Sequence, residues 1–226
     1  MVKDDEKLDI LATMAYFASV KKYAIQQMLQ IKKPLSNDDS CRMNIFYGAY
    51  FTYLVGLIDY LIKDKELLTQ TEVENVLGGT NNYFYVRNLR NAIIHRGEEI
   101  ANRGVEIASK PGLISPMSPV VVADPRNKEN YSRFTNNLLQ TVIICERLNS
   151  LFLNIITNND LTNYPDETEE TFKKEHEEDP YLPSYVKTPE MIKVSWQVYQ
   201  SQVKELHKSN VKFKLSYFNT EYLFCS

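Results

Sequence analysis

Three residues with different chemistry lie within the segment Arg90–His95. Histidine has an ordinary pKa of about 6.5, so His95 can take up or release a proton near neutral pH. The guanidinium of Arg90 is a permanent cation whose planar fork matches phosphate oxygens, and Asn91 could orient the phosphate or the imidazole. Together these residue types can cleave RNA without a metal. That reaction needs a base for the 2′-hydroxyl, an acid for the 5′-oxygen and positive charge near the phosphorus.

The segment from Asn82 to Gly97 is predicted to form the helix that carries these residues. At about 100° per residue, Arg87, Asn91 and His95 form a polar ridge on the side opposite the core. Arg90 lies about 100° from Asn91, so its guanidinium must reach around the helix, or the helix must loosen near its end. The side predicted to face the core consists of Tyr85, Val86, Leu89, Ala92 and Ile93.

A single histidine cannot serve as acid and base in the same step. A second copy of the chain, facing the first across a two-fold axis, would supply the missing group. We therefore expect a homodimer with a composite site. Beside the catalytic residues, Arg87 is predicted to contact the RNA, and Phe84, which falls near the ridge, is predicted to stack on a base.

The pattern Arg90-Asn91-x-x-x-His95 resembles the RX4–6H motif of HEPN domains, including the polar residue that often follows the arginine. The resemblance covers the motif and the helical pattern of roughly residues 5–157, and not the tail. It implies a cofactor-free, metal-independent endoribonuclease that leaves a 2′,3′-cyclic phosphate, with Arg90, Asn91 and His95 of two subunits as catalytic residues. Such proteins often act in toxin–antitoxin or antiviral defence systems, so an antitoxin is an expected partner beside the RNA.

One position departs from the family pattern. HEPN toxins that are modified by a partner nucleotidyltransferase carry a tyrosine two residues after the histidine, and this chain has Gly97 there. Control by that route is therefore not expected.

Apolar residues recur at three- and four-residue steps through most of the first 157 residues. They predict an all-α fold, an up-and-down bundle of four to five helices with a β-hairpin-like insertion and a C-terminal helix and strand tail. The predicted helices run from Lys7 to Ile31, from about Ser36 to Lys63, from a Thr71/Glu74 capping box to Gly78, from Asn82 to Gly97 and from Lys128 to Ile156.

Three regions interrupt or follow this helical domain of residues 1–157. The insertion, about residues 101–125, is predicted to be a β-hairpin that includes Val105–Ala108 and Val120–Val122, or an extended segment. It could be a flap over the motif or a surface hairpin without a function. Residues 158–189 are rich in Asn, Asp, Glu, Pro and Thr and predict an acidic linker. In the tail, residues 190–226, a helix is predicted from Met191 to Leu206 and a strand from Val211 to Leu215.

Composition limits the partners. The net charge of −3 and the pI near 5.7 give no global attraction to nucleic acid, so contact with RNA must be local. The three cysteines lie far apart and lack metal-ligand spacing, which suits a reducing cytoplasm. The acidic N-terminal segment lacks the apolar core of a signal peptide, and no uncharged stretch reaches the roughly 18–20 residues of a membrane span. We expect a cytoplasmic protein with no membrane partner.

Two other functional classes stay open. In one, a non-catalytic HEPN-like module uses Arg90 and His95 to bind a nucleotide or RNA, or to stabilise a dimeric scaffold. In the other, a helical interaction protein has no site, and the two residues complement the dipole at a helix C-terminus.

Overall fold

A computed structural model describes residue 2 and residues 4–31, 37–96, 122–124, 129–131, 134–135, 138–163 and 168–219. Within these ranges the chain is mostly helical, and the all-α prediction is confirmed. The up-and-down order of the helices stays a prediction. The elements are α1 (Asp4–Gln30), α2 (Asn37–Asp59, continued by a π turn Tyr60–Asp64), α3 (Gln70–Leu77), α4 (Thr80–Arg96), β1 (Val122–Asp124), β2 (Glu129–Tyr131), α5 (Leu138–Glu146), α6 (Leu148–Asn158), α7 (Glu169–Glu178), a 3-10 turn (Ser184–Lys187), α8 (Pro189–Val198), a π turn (Tyr199–Val203), α9 (Lys204–Leu215) and a second 3-10 turn (Ser216–Phe218).

One apolar core joins α1, α2 and α4 to α5 and α6, the two helices that come directly after the β strands. The close packing of α1 on α2 depends on Gly56, because a Cβ atom there would lie 2.7 Å from Cε1 of Phe17. The ring of Phe17 in α1 also packs against Tyr53 of α2 and Tyr60 of the π turn that continues α2. The two predicted long N-terminal helices therefore correspond to α1 and α2.

The start of α3 differs from the predicted capping box. The residues that form the box are Thr69 and Glu72, and not Thr71 and Glu74. The Thr69 side chain accepts a hydrogen bond from the Glu72 amide, while the Glu72 carboxylate accepts from the amide and hydroxyl of Thr69. These bonds lower the pKa of Glu72. At the other end, Gly78 has a φ of 84° and ends the helix in the left-handed region, as predicted.

The predicted fourth long helix, from Lys128 to Ile156, is wrong in its first part. Residues Glu129–Tyr131 form a strand that pairs antiparallel with Val122–Asp124, and the helical part begins only at Leu138 and turns at Arg147 between α5 and α6. The strand pair extends the insertion beyond residue 125. The predicted strand Val105–Ala108 lies outside the described residues.

A buried polar network joins α1 and α2 to α5 and α6. The ammonium of Lys21, only 1% exposed, lies 2.5 Å from Oε1 of Glu146 and donates to Oδ1 of Asn149 at 2.8 Å. The hydroxyl of Tyr50 donates to the same Glu146 oxygen at 2.8 Å, and the Asn149 amide donates to Oε2 at 3.0 Å. Each carboxylate oxygen and the ammonium thus has at least one partner, as buried charges require.

Two tyrosines of α2 allow a matched test of this network. We expect Tyr50→Phe to lower the free energy of unfolding by about 1.5–3 kcal/mol, because the lost bond goes to a buried carboxylate. Tyr47 is equally buried, burial raises its pKa, and its hydroxyl has no partner among the described residues. Tyr47→Phe should change the free energy by less than about 1 kcal/mol. Urea unfolding of both variants measures the difference, and equal losses would contradict it.

The C-terminal region is more ordered than its sequence predicts. The predicted acidic linker contains α7, which the Thr168 side chain caps, and Phe172 of α7 packs with Ile192 and Trp196 of α8 in a small second core. The strand predicted from Val211 to Leu215 is wrong, because these residues continue α9.

Two helical segments, Cys41–Asp64 and Leu138–Asn158, are long and apolar enough to cross a membrane by length and composition alone. Half of each apolar window is buried inside the fold. Core helices of soluble proteins have the same features, so the two segments are weak evidence for a membrane, and the expected absence of a membrane partner stays a prediction.

Candidate functional site

Helix α4 carries the predicted catalytic residues, and its packing on α2 sets its orientation. Near its middle, Arg87 bonds to Asp59 at the end of α2. Further along, Cγ2 of Ile93 approaches Gly48 so closely that a Cβ atom there would lie at 3.2 Å. The predicted core side of the helix is largely confirmed, with the partly buried Ile93 beside four buried residues, Tyr85, Val86, Leu89 and Ala92.

Arg90 and Asn91 are brought together by a direct hydrogen bond. NH1 of Arg90 donates to Oδ1 of Asn91 at 3.0 Å, so the guanidinium does reach around the helix toward its neighbour. Its Nε is buried and has no hydrogen-bond partner in the part of the chain that the structure describes. A buried donor left without an acceptor costs about 1–3 kcal/mol.

His95 lies in the last turn of α4, which extends to Arg96. Four residues separate it from Asn91, a rise of about 6 Å along the helix, which places the two positions one turn apart. The His95 side chain lies outside the described residues, so its predicted part in the site stays a prediction.

Arg87 has a different environment from Arg90. Its NH1 donates to Asp59 at 2.7 Å and to the Tyr83 hydroxyl at 2.8 Å, and Asp59 also pairs with Lys63 at 3.1 Å. Burial opposes the charge on Arg87, but the bonds to Asp59 and Tyr83 outweigh it and raise its pKa. RNA would therefore compete with Asp59 for this guanidinium. Arg87 and Asn91 are both partly buried, so the predicted ridge is less exposed than expected.

The predicted base-stacking residue, Phe84, already stacks on a ring of this chain. Its ring lies 5.6 Å from that of Tyr131 in β2, at an interplanar angle of 22°, and the ring of Tyr83 meets it edge-on. One face of Phe84 is thus covered by the strand pair. The described end of the insertion packs on α4 beside the motif. Whether the insertion acts as a flap or is a surface hairpin without a function stays a prediction.

A further polar residue of this helix, Asn88, was not predicted from the sequence: it is buried in α4 and donates to the Phe84 carbonyl at 3.0 Å. Its spacing of four from Phe84 and three from Asn91 places it on the same side of the helix as both. A helical wheel could have identified this amide, because an asparagine between two core positions is unusual in a buried helix face.

The described residues offer no group of three or more His, Cys, Asp or Glu side chains that could hold a metal ion. A cavity of about 280 Å³ lies at the start of α5 and is lined by Phe134, Thr135, Gln140, Ile143 and Ile144. Its lining includes none of the predicted site residues and only two polar ones, so it does not extend the site.

Comparisons with protein-family models, with curated proteins and with solved structures found no match to this chain.

Proposed function

We propose that this chain is a metal-independent endoribonuclease of HEPN type in which Arg90, Asn91 and His95 act on the scissile phosphate. One observation carries the proposal. Arg90 is held by an amide and by no carboxylate of the described residues, whereas Arg87, one turn earlier, is neutralised by Asp59. Arg90 therefore keeps its positive charge for an anion, and its remaining NH groups can donate to phosphate oxygens.

Two histidines, one from each copy, carry out the two proton transfers of the proposed reaction. His95 of one copy accepts the proton of the 2′-hydroxyl as the 2′-oxygen attacks phosphorus. The bond to the 5′-oxygen breaks, and protonated His95 of the second copy gives that oxygen a proton. Arg90 stabilises the charge that develops on the non-bridging oxygens, and Asn91 holds the guanidinium in place. The products are a 2′,3′-cyclic phosphate and a 5′-hydroxyl.

The alternative is a non-catalytic RNA- or nucleotide-binding or dimeric scaffold module on the same residues. The cover that Tyr131 gives to Phe84 and the partial burial of Asn91 favour it, because both narrow the space for a substrate next to the motif. In that case the Arg90 cation binds an anion without a reaction.

The test is incubation of the purified chain with structured RNA in the presence of EDTA. We expect cleavage that leaves 2′,3′-cyclic phosphate ends, and His95→Ala should lower the rate by about 10²–10⁴-fold, the usual contribution of general acid–base catalysis. His176→Ala, a change in the acidic helix α7, is the matched control and should cleave normally. Cleavage that survives His95→Ala would rule out the proposed site. RNA binding without any cleavage would establish the alternative.

A further inference from the structure

Helices α8 and α9 and the π turn between them form one uninterrupted helix from Pro189 to Leu215. One side of α8 is buried, since Ile192 and Trp196 pack on Phe172 of α7. The long helix nevertheless exposes five large apolar residues, each between 40% and 70% exposed. We call them the apolar strip: Met191, Val194, Val198, Leu206 and Phe213.

The strip runs along one face in spite of the π turn. Met191 and Val198 are seven residues apart, as are Leu206 and Phe213, and seven residues are close to two helical turns. Val198 and Leu206 are eight apart, and the wider π turn Tyr199–Val203 between them absorbs the additional residue. The strip is therefore continuous over about 33 Å.

Rotation of the helix cannot bury the strip. Turning Met191, Val194 and Val198 toward α7 would expose Trp196 and Ile192, which lie on the opposite side of α8. Exposed apolar surface of this extent usually marks a place where another molecule binds. Among the residues that the structure describes, nothing covers the strip.

We propose that the occupant is a second copy of the chain, paired antiparallel through the apolar strip about a two-fold axis at Gln202. Four of the five strip residues are symmetric about that residue, and the fifth, Val194, has Asn210 as its counterpart. Val198 and Leu206 each lie four residues from it, and Met191 and Phe213 each lie eleven. Antiparallel pairing therefore places Val198 against Leu206 of the second copy and Met191 against Phe213 of the second copy. An interface in which both copies use the same surface closes as a dimer.

Charge selects the antiparallel direction. Helix α9 contains four lysines and one glutamate, while α8 contains one of each. Parallel pairing would set the two basic halves side by side, at a cost in free energy. Antiparallel pairing sets each basic half against the neutral half of the other copy, and it brings Glu190 near Lys212 and Lys214 of the second copy. This interface does not depend on RNA cleavage. If the composite site of the proposed function forms in this dimer, the same two-fold axis must also bring the two copies of α4 together.

The first test is the mass of the full chain by sedimentation velocity at micromolar concentration. We expect a dimer for the native chain, and a dissociation constant raised about tenfold or more for Val198→Glu combined with Leu206→Glu. Tyr181→Glu is the matched control, because Tyr181 is 92% exposed and lies off the strip; it should stay dimeric. A monomeric native chain, or a dimer that the double variant leaves intact, would overturn the proposal.

Disulfide cross-linking tests the direction and does not depend on the double variant being folded. In a chain with Cys41 and Cys225 replaced by serine, Gln202→Cys should cross-link to itself, because both copies meet at that residue. Phe213→Cys alone should not cross-link, since the two copies of this residue would lie about 33 Å apart. A mixture of the Phe213→Cys chain with a Met191→Cys chain should cross-link. Self-linking of Phe213→Cys would show parallel pairing, and failure of Gln202→Cys to link would overturn the two-fold axis. Gln202→Cys should form the same cross-link when the chain also carries His95→Ala. Loss of RNA cleavage and loss of this interface are therefore distinguishable.

Discussion

Lys21→Met is expected to lower the free energy of unfolding by about 3–5 kcal/mol, the largest stability effect that we predict. The substitution keeps the length of the side chain but removes the ammonium that lies 2.5 Å from Glu146. Glu146 would then be a carboxylate buried in the core, and its remaining donors among the described residues would be Tyr50 and Asn149. Chemical denaturation at neutral pH, followed by circular dichroism, measures the loss.

The second half of the test removes both charges. Because an apolar replacement of both partners leaves no unpaired charge, Lys21→Met with Glu146→Leu should recover much of the stability that the single change loses. Lys173→Met is the control, since its pair with Glu177 is 3.9 Å long and exposed; it should change the free energy by no more than about 0.5 kcal/mol. A loss of that small size for Lys21→Met itself would show that the buried pair does not exist in solution.

Arg90→Ala is expected to lower the rate of RNA cleavage by about 10²–10³-fold, the usual effect of removing one donor that stabilises charge in a transition state. The folded state should change little, because the only partner of the guanidinium among the described residues is the side chain of Asn91. Single-turnover cleavage, measured with unfolding curves for the same samples, separates the two effects.

Two variants sharpen this prediction. Arg90→Lys keeps the charge but loses the planar fork that bonds Asn91 and a phosphate together, so it should restore only a small part of the activity. Arg87→Ala removes the arginine one turn before Arg90, whose bonds to Asp59 and Tyr83 support packing. We expect this variant to lose more stability than cleavage rate. If Arg87→Ala abolished cleavage in a folded protein and Arg90→Ala did not, the assignment of the phosphate cation would be reversed.

The sequence by itself determined most of the helices and the core side of α4. Tyr85, Val86, Leu89 and Ala92 are buried as the helical periodicity predicts, since the direction of a side chain on a helix depends only on its neighbours in the chain. It also determined where α3 ends, because Gly78 tolerates the positive φ required there. The hydrogen bond between Arg90 and Asn91 is also local, because the two residues are neighbours in the sequence.

What the tertiary structure decided lies in contacts between residues that are far apart in the chain. Thr69/Glu72 and Thr71/Glu74 both match the capping-box spacing, so the spacing alone did not identify the box that the structure forms at Thr69 and Glu72. Tyr131 lies in a strand and not a helix, where its ring stacks on Phe84.

The same cause separates Arg87 from Arg90. Asp59 bonds to Arg87 although the two are 28 residues apart in the sequence, and Glu146 bonds to Lys21 across a separation of 125 residues. Sequence spacing encodes local geometry, but which charge is neutralised and which stays available depends on distances that exist only after the helices pack.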